Sequence, residues 1–215
     1  MAVNLSTIAI VGCGPGAAEY VPEAARRVVA VADVLFGADR LLDLFADCPA
    51  ERIRIDAEIP AALDRIAESH AAGRRIAVLV SGDPGLYSLA QGVVRRFGRE
   101  HCDVVPAVSS VQVAFARLGL GWADARILSA HGRMPDAAAA ELERSDKIAI
   151  LSGTKAALRW SAELAAALEA SHVAFLAENL TLENERFQGV TPVQLGTLDA
   201  ASLSIVLLIR RTLLT

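Results

Sequence analysis

The chain has 215 residues, of which 53% are hydrophobic and 21% charged, and this composition excludes an intrinsically disordered protein. The formal net charge of −4 argues against non-specific binding to nucleic acid, which needs a basic surface. The three scattered cysteines and four histidines have neither disulfide nor zinc-site spacing, and no apolar run is long enough to span a membrane, so we expect a cytoplasmic protein without a bound metal.

Short apolar runs recur along the chain and alternate with segments rich in Ala, Leu, Arg and Glu. Because these runs lack polar alternation and end in Gly, Pro or Asn, they predict strands covered on both faces, with helices between them. The predicted strands cover 7–12, 32–37, 75–82, 102–108, 147–153, 172–179 and 203–211. One predicted helix begins at Pro22, and three others cover 60–73, 86–98 and 156–170.

The alternation of strands and helices predicts an α/β fold with a largely parallel sheet in the first half. The segment FQGVTPVQLGTL in the last third is hairpin-like and predicts a mixed sheet there. The pattern breaks after Val105-Pro106, so we predict an N-terminal α/β domain at 1–106 and a C-terminal α/β domain at 107–215, with a ligand cleft between them.

The first predicted strand runs into the glycine-rich loop GCGPG, residues 12–16. Gly12, Gly14 and Ala17 match the spacing of a dinucleotide-binding fingerprint, with Asp33 as the ribose-binding acid. However, the first convincing helix begins only at Pro22, and Asp33 precedes the second strand instead of following it. The alternative is a tight connection in which the backbone passes close to another surface.

A second loop, Ser81 to Gly85, follows the strand that ends near Val80. Its Asp-Pro-Gly sequence is strong turn chemistry, and it lies where open α/β sheets bind ligands, at the carboxyl end of a parallel strand. Gly82 would let a ligand approach the backbone, and the Asp83 carboxylate could accept hydrogen bonds.

A third stretch carries polar residues at two element ends. Ser109 and Ser110 either cap the following helix or contact a ligand. His131 and Arg133 follow an apolar run and are candidate ligand contacts, whereas Arg117 and Arg126 are weaker candidates that surface ion pairs would equally explain.

Together these stretches resemble the tetrapyrrole methylase family. The family has a glycine loop after its first strand, matched by Gly12 to Gly16, and a GDP turn, matched by Gly82 to Pro84. The segment PAVSSVQVAFARLGLGWADARILSAHGR, residues 106–133, is similar to the subfamily that methylates C5 of a precorrin. The segment AENLTLENERFQGV, residues 177–190, also resembles that subfamily, although Thr181 stands where its pattern has glycine.

The resemblance implies a tetrapyrrole methylase fold, S-adenosyl-L-methionine as cofactor, a precorrin-type tetrapyrrole as substrate, and a homodimer without nucleic-acid or membrane partners. The implied cofactor contacts are Gly82, Asp83, Leu86, Tyr87, Ser109, Ser110, Leu151 and Ala177. The implied substrate contacts are Gly12, Gly14, Pro15, Gly16, His131 and Arg133, with His131 also the best candidate for a catalytic residue. In fused relatives a partner module methylates C15 and removes carbon dioxide.

Several alternatives stay open at this point: a dinucleotide-dependent oxidoreductase, a non-catalytic sensor of the same cofactor, and a uroporphyrinogen-type methyltransferase of the same family. The residues do not decide whether the ring carries cobalt, or whether the chain acts alone or as half of a fused enzyme.

Overall fold

The computed structural model describes residues 7–56, 58–131, 134–199 and 201–214. The chain divides between Ser109 and Ser110 into two compact units. This division lies just beyond the seam predicted after Pro106. Each unit contains one five-stranded sheet.

The first unit alternates strands and helices throughout. Its elements are β1 (Ile8–Gly12), α1 (Glu23–Ala30), β2 (Val34–Gly37), α2 (Asp39–Leu42), β3 (Glu51–Arg54), α3 (Ile59–Ala71), β4 (Ile76–Val80), α4 (Ala90–Phe97) and β5 (Cys102–Val105). The strands run in the order β3-β2-β4-β1-β5, and all neighbours are parallel. The predicted parallel sheet is therefore confirmed.

Helices cover both faces of this first sheet. One face packs against α1 and α2 through Ala25, Val29 and Leu41, and the other packs against α3 and α4 through Ile66 and Val93. β1 and β4 are completely or nearly completely buried, as expected for central strands between two helical layers.

The second unit has a mixed sheet, as the sequence predicts. Its elements are α5 (Ser110–Arg117), β6 (Arg126–Ser129), α6 (Ala139–Leu142), β7 (Lys147–Ser152), α7 (Lys155–Ala167), β8 (His172–Glu178), β9 (Arg186–Val190), α8 (Pro192–Thr197) and β10 (Ser204–Arg210). The strand order is β6-β7-β10-β8-β9, with β6 and β7 parallel and the other pairs antiparallel. Its core includes Ile148, Leu158 and Val206.

Two predicted helix starts need correction. Pro22 is the residue before α1 and has extended backbone angles, so it is not the first helical residue. The helix predicted over 86–98 begins only at Ala90, because Tyr87 has a left-handed φ of +46°, which a continuous helix does not allow. None of the helices that the structure describes is long and apolar enough to cross a bilayer.

Candidate functional site

The glycine loop and the GDP loop meet directly at the carboxyl end of the first sheet. β1 and β4 are neighbours, so the loops that follow them are side by side. The Cys13 amide donates to the Val80 carbonyl at 2.9 Å, and the Gly82 amide donates to the Gly14 carbonyl at 2.8 Å. The two motifs are thus one structural unit joined through their backbones.

Gly12 lies where these loops are most closely packed. A Cβ atom at this position would lie 2.8 Å from both the Ala107 Cβ and the Pro84 Cδ, which is too close for any side chain. The alternative that the sequence left open, a backbone passing close to another surface, therefore accounts for Gly12 without a ligand.

Asp83 ties the GDP loop to the segment that follows β5. One carboxylate oxygen accepts a hydrogen bond from the Gly85 amide at 2.7 Å, and the other accepts one from the Ala107 amide at 3.1 Å. A carboxylate can accept about four hydrogen bonds, so both oxygens keep capacity for a ligand. Asp83 orders the loops whether or not it also binds one.

The residues after the GDP turn form an exposed bend before α4. Tyr87 has a φ of +46° and is 56% exposed, which is unusual for a large aromatic residue. The Ser88 hydroxyl donates to the Pro84 carbonyl at 2.6 Å and holds the bend closed. The bend therefore presents an aromatic ring at the carboxyl edge of the sheet.

The structure argues against the dinucleotide hypothesis. α1 begins at Glu23, well beyond the glycines, so its amino end is not supplied by the loop as that fold requires. Asp33 lies at the amino end of β2, where hydrogen bonds from Arg75 lower the pKa of its carboxyl to about 2. Asp33 therefore links the amino ends of β2 and β4, at the end of the sheet opposite the glycine loop.

Cys13, inside the glycine loop, is not a nucleophile. Its side chain is completely buried, and this burial raises the pKa of the thiol to about 12. The thiol donates a weak hydrogen bond to the Val11 carbonyl at 3.6 Å. The residue stays neutral and serves as a small core side chain.

In the second unit, two of the predicted cofactor contacts occupy one level of the sheet. Leu151 of β7 and Ala177 of β8 both pair with Ile205 of β10, which lies between them. Directly paired residues project to the same face of an antiparallel sheet, so the two side chains share a face.

His131 lies beside this row, after β6. The amide of Ala130, the residue before it, donates to the Leu151 carbonyl at 2.9 Å, and desolvation lowers the pKa of the His131 ring, which favours its neutral form. A Cβ atom on Gly153 would lie 2.7 Å from both the His131 Nε2 and the Ser202 carbonyl oxygen, so a side chain here would clash with the backbone as well as with the imidazole. The structure thus brings together His131 and Leu151, which are distant in sequence.

Gly153 is the residue here that the sequence analysis missed. Its signal is a repeated pattern: β4 is followed by Ser81-Gly82, and β7 ends with Ser152 followed by Gly153. A Ser-Gly pair after a buried strand thus marks a close approach in each unit.

The remaining candidates are placed as follows. Ser109 is buried and directly precedes Ser110, the first residue of α5. Arg117 forms a two-point ion pair with Glu185 at 2.6 and 3.0 Å, and Arg126 pairs with Glu141 at 3.3 Å. In the glycine loop Pro15 is buried and Gly16 is half-buried, whereas Arg133 lies outside the described residues.

These features define an α/β protein with a parallel and a mixed sheet and with loops at strand ends arranged for ligand binding. Residues 7–197 match the sequence model of the family described as Tetrapyrrole (Corrin/Porphyrin) Methylases. The chain belongs to this family of methyl-transferring enzymes.

Individual relatives agree with this assignment. The chain is 32% identical, over 95% of its length and 100% of the relative, to a cobalt-precorrin-7 C(5)-methyltransferase from Salmonella typhimurium. The crystal structure of a precorrin-6Y methylase from Archaeoglobus fulgidus covers 96% of this chain and 99% of its own, with a TM-score of 0.73 and 25% identity. A Thermus thermophilus uroporphyrin-III C-methyltransferase complexed with S-adenosyl homocysteine has the same fold, with a TM-score of 0.76, 20% identity and coverage of 94% and 97%.

Proposed function

We propose that this protein is an S-adenosyl-L-methionine-dependent methyltransferase that adds a methyl group to C5 of a precorrin in cobalamin biosynthesis. The observation that carries the proposal is the full-length similarity to a cobalt-precorrin-7 C(5)-methyltransferase. The match includes the glycine loop, the GDP turn and the region around His131, so all of the proposed site lies within the aligned family region.

The residues present fit the proposed cofactor. In the first unit, the exposed Tyr87 ring offers an aromatic face for a purine, and Asp83 keeps acceptor capacity for an ammonium or hydroxyl group. Gly82 and Leu86 complete the proposed contacts around the GDP turn, followed by Ser109. In the second unit, the proposed contacts are Ser110, Leu151 and Ala177.

The chemistry requires little acid–base work before the transition state. S-adenosyl-L-methionine supplies an electrophilic methyl group on a sulfonium sulfur. The loops' main contribution is to hold the reacting carbon in line, an effect worth up to about 7–11 kcal/mol in well-oriented reactions. The rigid junction of the glycine and GDP loops suits that positioning role.

A proton must leave the ring if its charge is to return to the starting value after a methyl cation equivalent is added. We assign the acceptor role to His131, because its lowered pKa favours the neutral imidazole, which can accept a proton. The same side chain, together with Arg133 and the backbone of Gly12, Gly14, Pro15 and Gly16, is proposed to contact the substrate.

Product analysis tests the function. The protein is incubated with the late ring intermediate and S-adenosyl-L-methionine carrying a labelled methyl group, and the product is examined by mass spectrometry. We expect one labelled methyl on C5 and no loss of carbon dioxide. Binding of the cofactor without any transfer would instead identify a sensor, and transfer only to uroporphyrinogen would identify a different branch of the family.

Three further features belong to this proposal: a homodimer, a cytoplasmic location, and cooperation with a module that methylates C15 and decarboxylates the ring. Sedimentation tests the homodimer. Addition of a separately produced C15 module to the methylation assay tests the cooperation between the two.

A further inference from the structure

A crevice lies between β2 and β4 at the carboxyl ends of the strands of the first sheet. The chain leaves β2 toward α2, on one face of the sheet, and leaves the neighbouring β4 toward α4, on the other face. Adjacent parallel strands whose connections diverge in this way open a crevice between them, which is where open α/β sheets bind ligands. The equivalent space between β1 and β4 is filled by the joined glycine and GDP loops.

The crevice between β2 and β4 forms a cavity of about 250 Å³. Its walls are mostly apolar, with Leu41, Ile55 and Leu79 among the lining side chains, and Tyr87 and Arg40 contribute the larger polar groups. The volume is below the range of about 300–1,000 Å³ that is usual for whole drug-sized ligands, so the space suits a side arm and not a macrocycle.

Arg40 is an exposed cation that contributes to the lining of this cavity. Among the described residues it forms no ion pair or side-chain hydrogen bond. The adjacent acid, Asp39, pairs with Arg54 at 3.1 Å. The Cys13 thiol does not balance the charge of Arg40, because burial raises its pKa to about 12 and keeps it neutral.

We propose that Arg40 and the crevice between β2 and β4 bind one carboxylate-bearing side arm of the tetrapyrrole. This inference rests on the proposed function and extends it to the recognition of the substrate's periphery. A guanidinium binds a carboxylate through two parallel hydrogen bonds, and the apolar walls accept the methylene groups of an acetate or propionate arm. Val80 and Ser81 also line the cavity, and the Val80 carbonyl accepts a hydrogen bond from the Cys13 amide of the glycine loop, so an arm held there brings the ring to that loop.

Direct binding tests the proposal with a stable corrin polycarboxylate, cobyrinic acid, and its fully methyl-esterified form. Dissociation constants are measured by absorbance titration for the natural protein, Arg40→Gln, Arg40→Lys and the control Arg65→Gln. Arg65 is an exposed residue of α3, and its substitution removes the same charge. We expect Arg40→Gln to weaken binding of the acid at least tenfold and Arg40→Lys to weaken it less, with Arg65→Gln and the dissociation constant of S-adenosyl-L-methionine within twofold of the natural protein.

The methyl ester is the control ligand of the test, because it lacks the charges that Arg40 would bind. It should bind the natural protein and Arg40→Gln with equal affinity. Equal affinity of the acid for these two proteins, or no binding of the acid to the natural protein, overturns the proposal. If methyl transfer occurs normally but the KM for the ring is unchanged in Arg40→Gln, this inference fails while the proposed function stands. If no transfer occurs at all, the proposed function fails, and the titrations still decide whether Arg40 binds the carboxylate.

Discussion

Thr181 has a φ of +71°, a left-handed conformation that is rare for a β-branched residue. The C5-methylating pattern that the sequence resembles has glycine at this position, and the conformation explains that preference. The Thr181 amide donates to the Glu185 carboxylate at 2.5 Å, and any residue except proline keeps this hydrogen bond.

Thr181→Gly is therefore expected to stabilise the protein. The left-handed conformation costs a non-glycine residue roughly 1–2 kcal/mol, while the added freedom of glycine in the unfolded chain costs about 0.4–1 kcal/mol. We expect a net gain of about 0.5–1 kcal/mol in the free energy of unfolding, measured by urea titration. Thr181→Ala is the matched control, because it removes the branched side chain but keeps the Cβ atom. A loss of stability in Thr181→Gly would contradict the strain argument.

His131 carries a prediction about pH. Its pKa is lowered by desolvation, so the neutral imidazole persists to a pH below its ordinary value of 6.5. If the imidazole accepts a proton, kcat should rise with pH through this lowered pKa and be level at neutral pH. His131→Ala should lower the plateau and remove this rise. An unchanged profile in His131→Ala would exclude the proton-accepting role.

The same shift links His131 to stability. The unfolded chain binds a proton at this residue at a higher pH than the folded chain does, so the folded state loses stability as the pH falls from 6.5 through the lowered pKa. Chemical unfolding of the natural protein and His131→Ala over this range measures the difference, which should grow smaller at lower pH.

At the scale of elements, Asp83 joins two loops that follow different strands. Asp83→Ala removes both acceptors and should lower the free energy of unfolding by about 1–3 kcal/mol, since the bonds to a charged group are partly exposed. It should also weaken cofactor binding, measured by calorimetry. Asp83→Asn keeps one acceptor oxygen, so its stability and its affinity for the cofactor should lie between those of the natural protein and Asp83→Ala. The control is Asp103→Ala, which changes an exposed residue of β5. Unchanged stability and affinity in Asp83→Ala would contradict its roles in joining the loops and in binding the cofactor.

The sequence predicted the elements whose residues are buried on both faces. β1 and β4 are continuous apolar runs ending at turn residues, and their boundaries agree closely with the structure. β3 was missed because it is an edge strand with one buried residue, Ile53. The start of α4 was misplaced because Leu86 and Leu89 continue a helical apolar pattern through a bend that contains the left-handed Tyr87.

The candidate site was predictable only in part for a similar reason. Turn chemistry identifies the GDP loop from a few adjacent residues. By contrast, the position of His131 beside Leu151, and its close approach to Gly153, depend on pairing between strands that are distant in sequence. Local pattern carries no information about such neighbours.

At the scale of the whole molecule, ligand-linked stability separates the methyltransferase from the oxidoreductase. S-adenosyl-L-methionine at one hundred times its dissociation constant should stabilise the folded state by about 2.7 kcal/mol. For a chain of this size, that corresponds to a rise in Tm of about 5–10 °C. NADH should leave Tm unchanged. Differential scanning fluorimetry measures these Tm values. A rise in Tm with NADH and none with S-adenosyl-L-methionine would reverse the assignment.

The order of strands in the first sheet also has a consequence for synthesis on the ribosome. β1 emerges first, yet its hydrogen-bonding partners are β4 and β5, which end at Val80 and Val105. Until those segments leave the exit tunnel, the nascent chain holds an apolar strand with both edges open, a form prone to aggregate. This unit therefore cannot complete its sheet before Val105 has emerged, and shielding the early strand until then is a task suited to a chaperone.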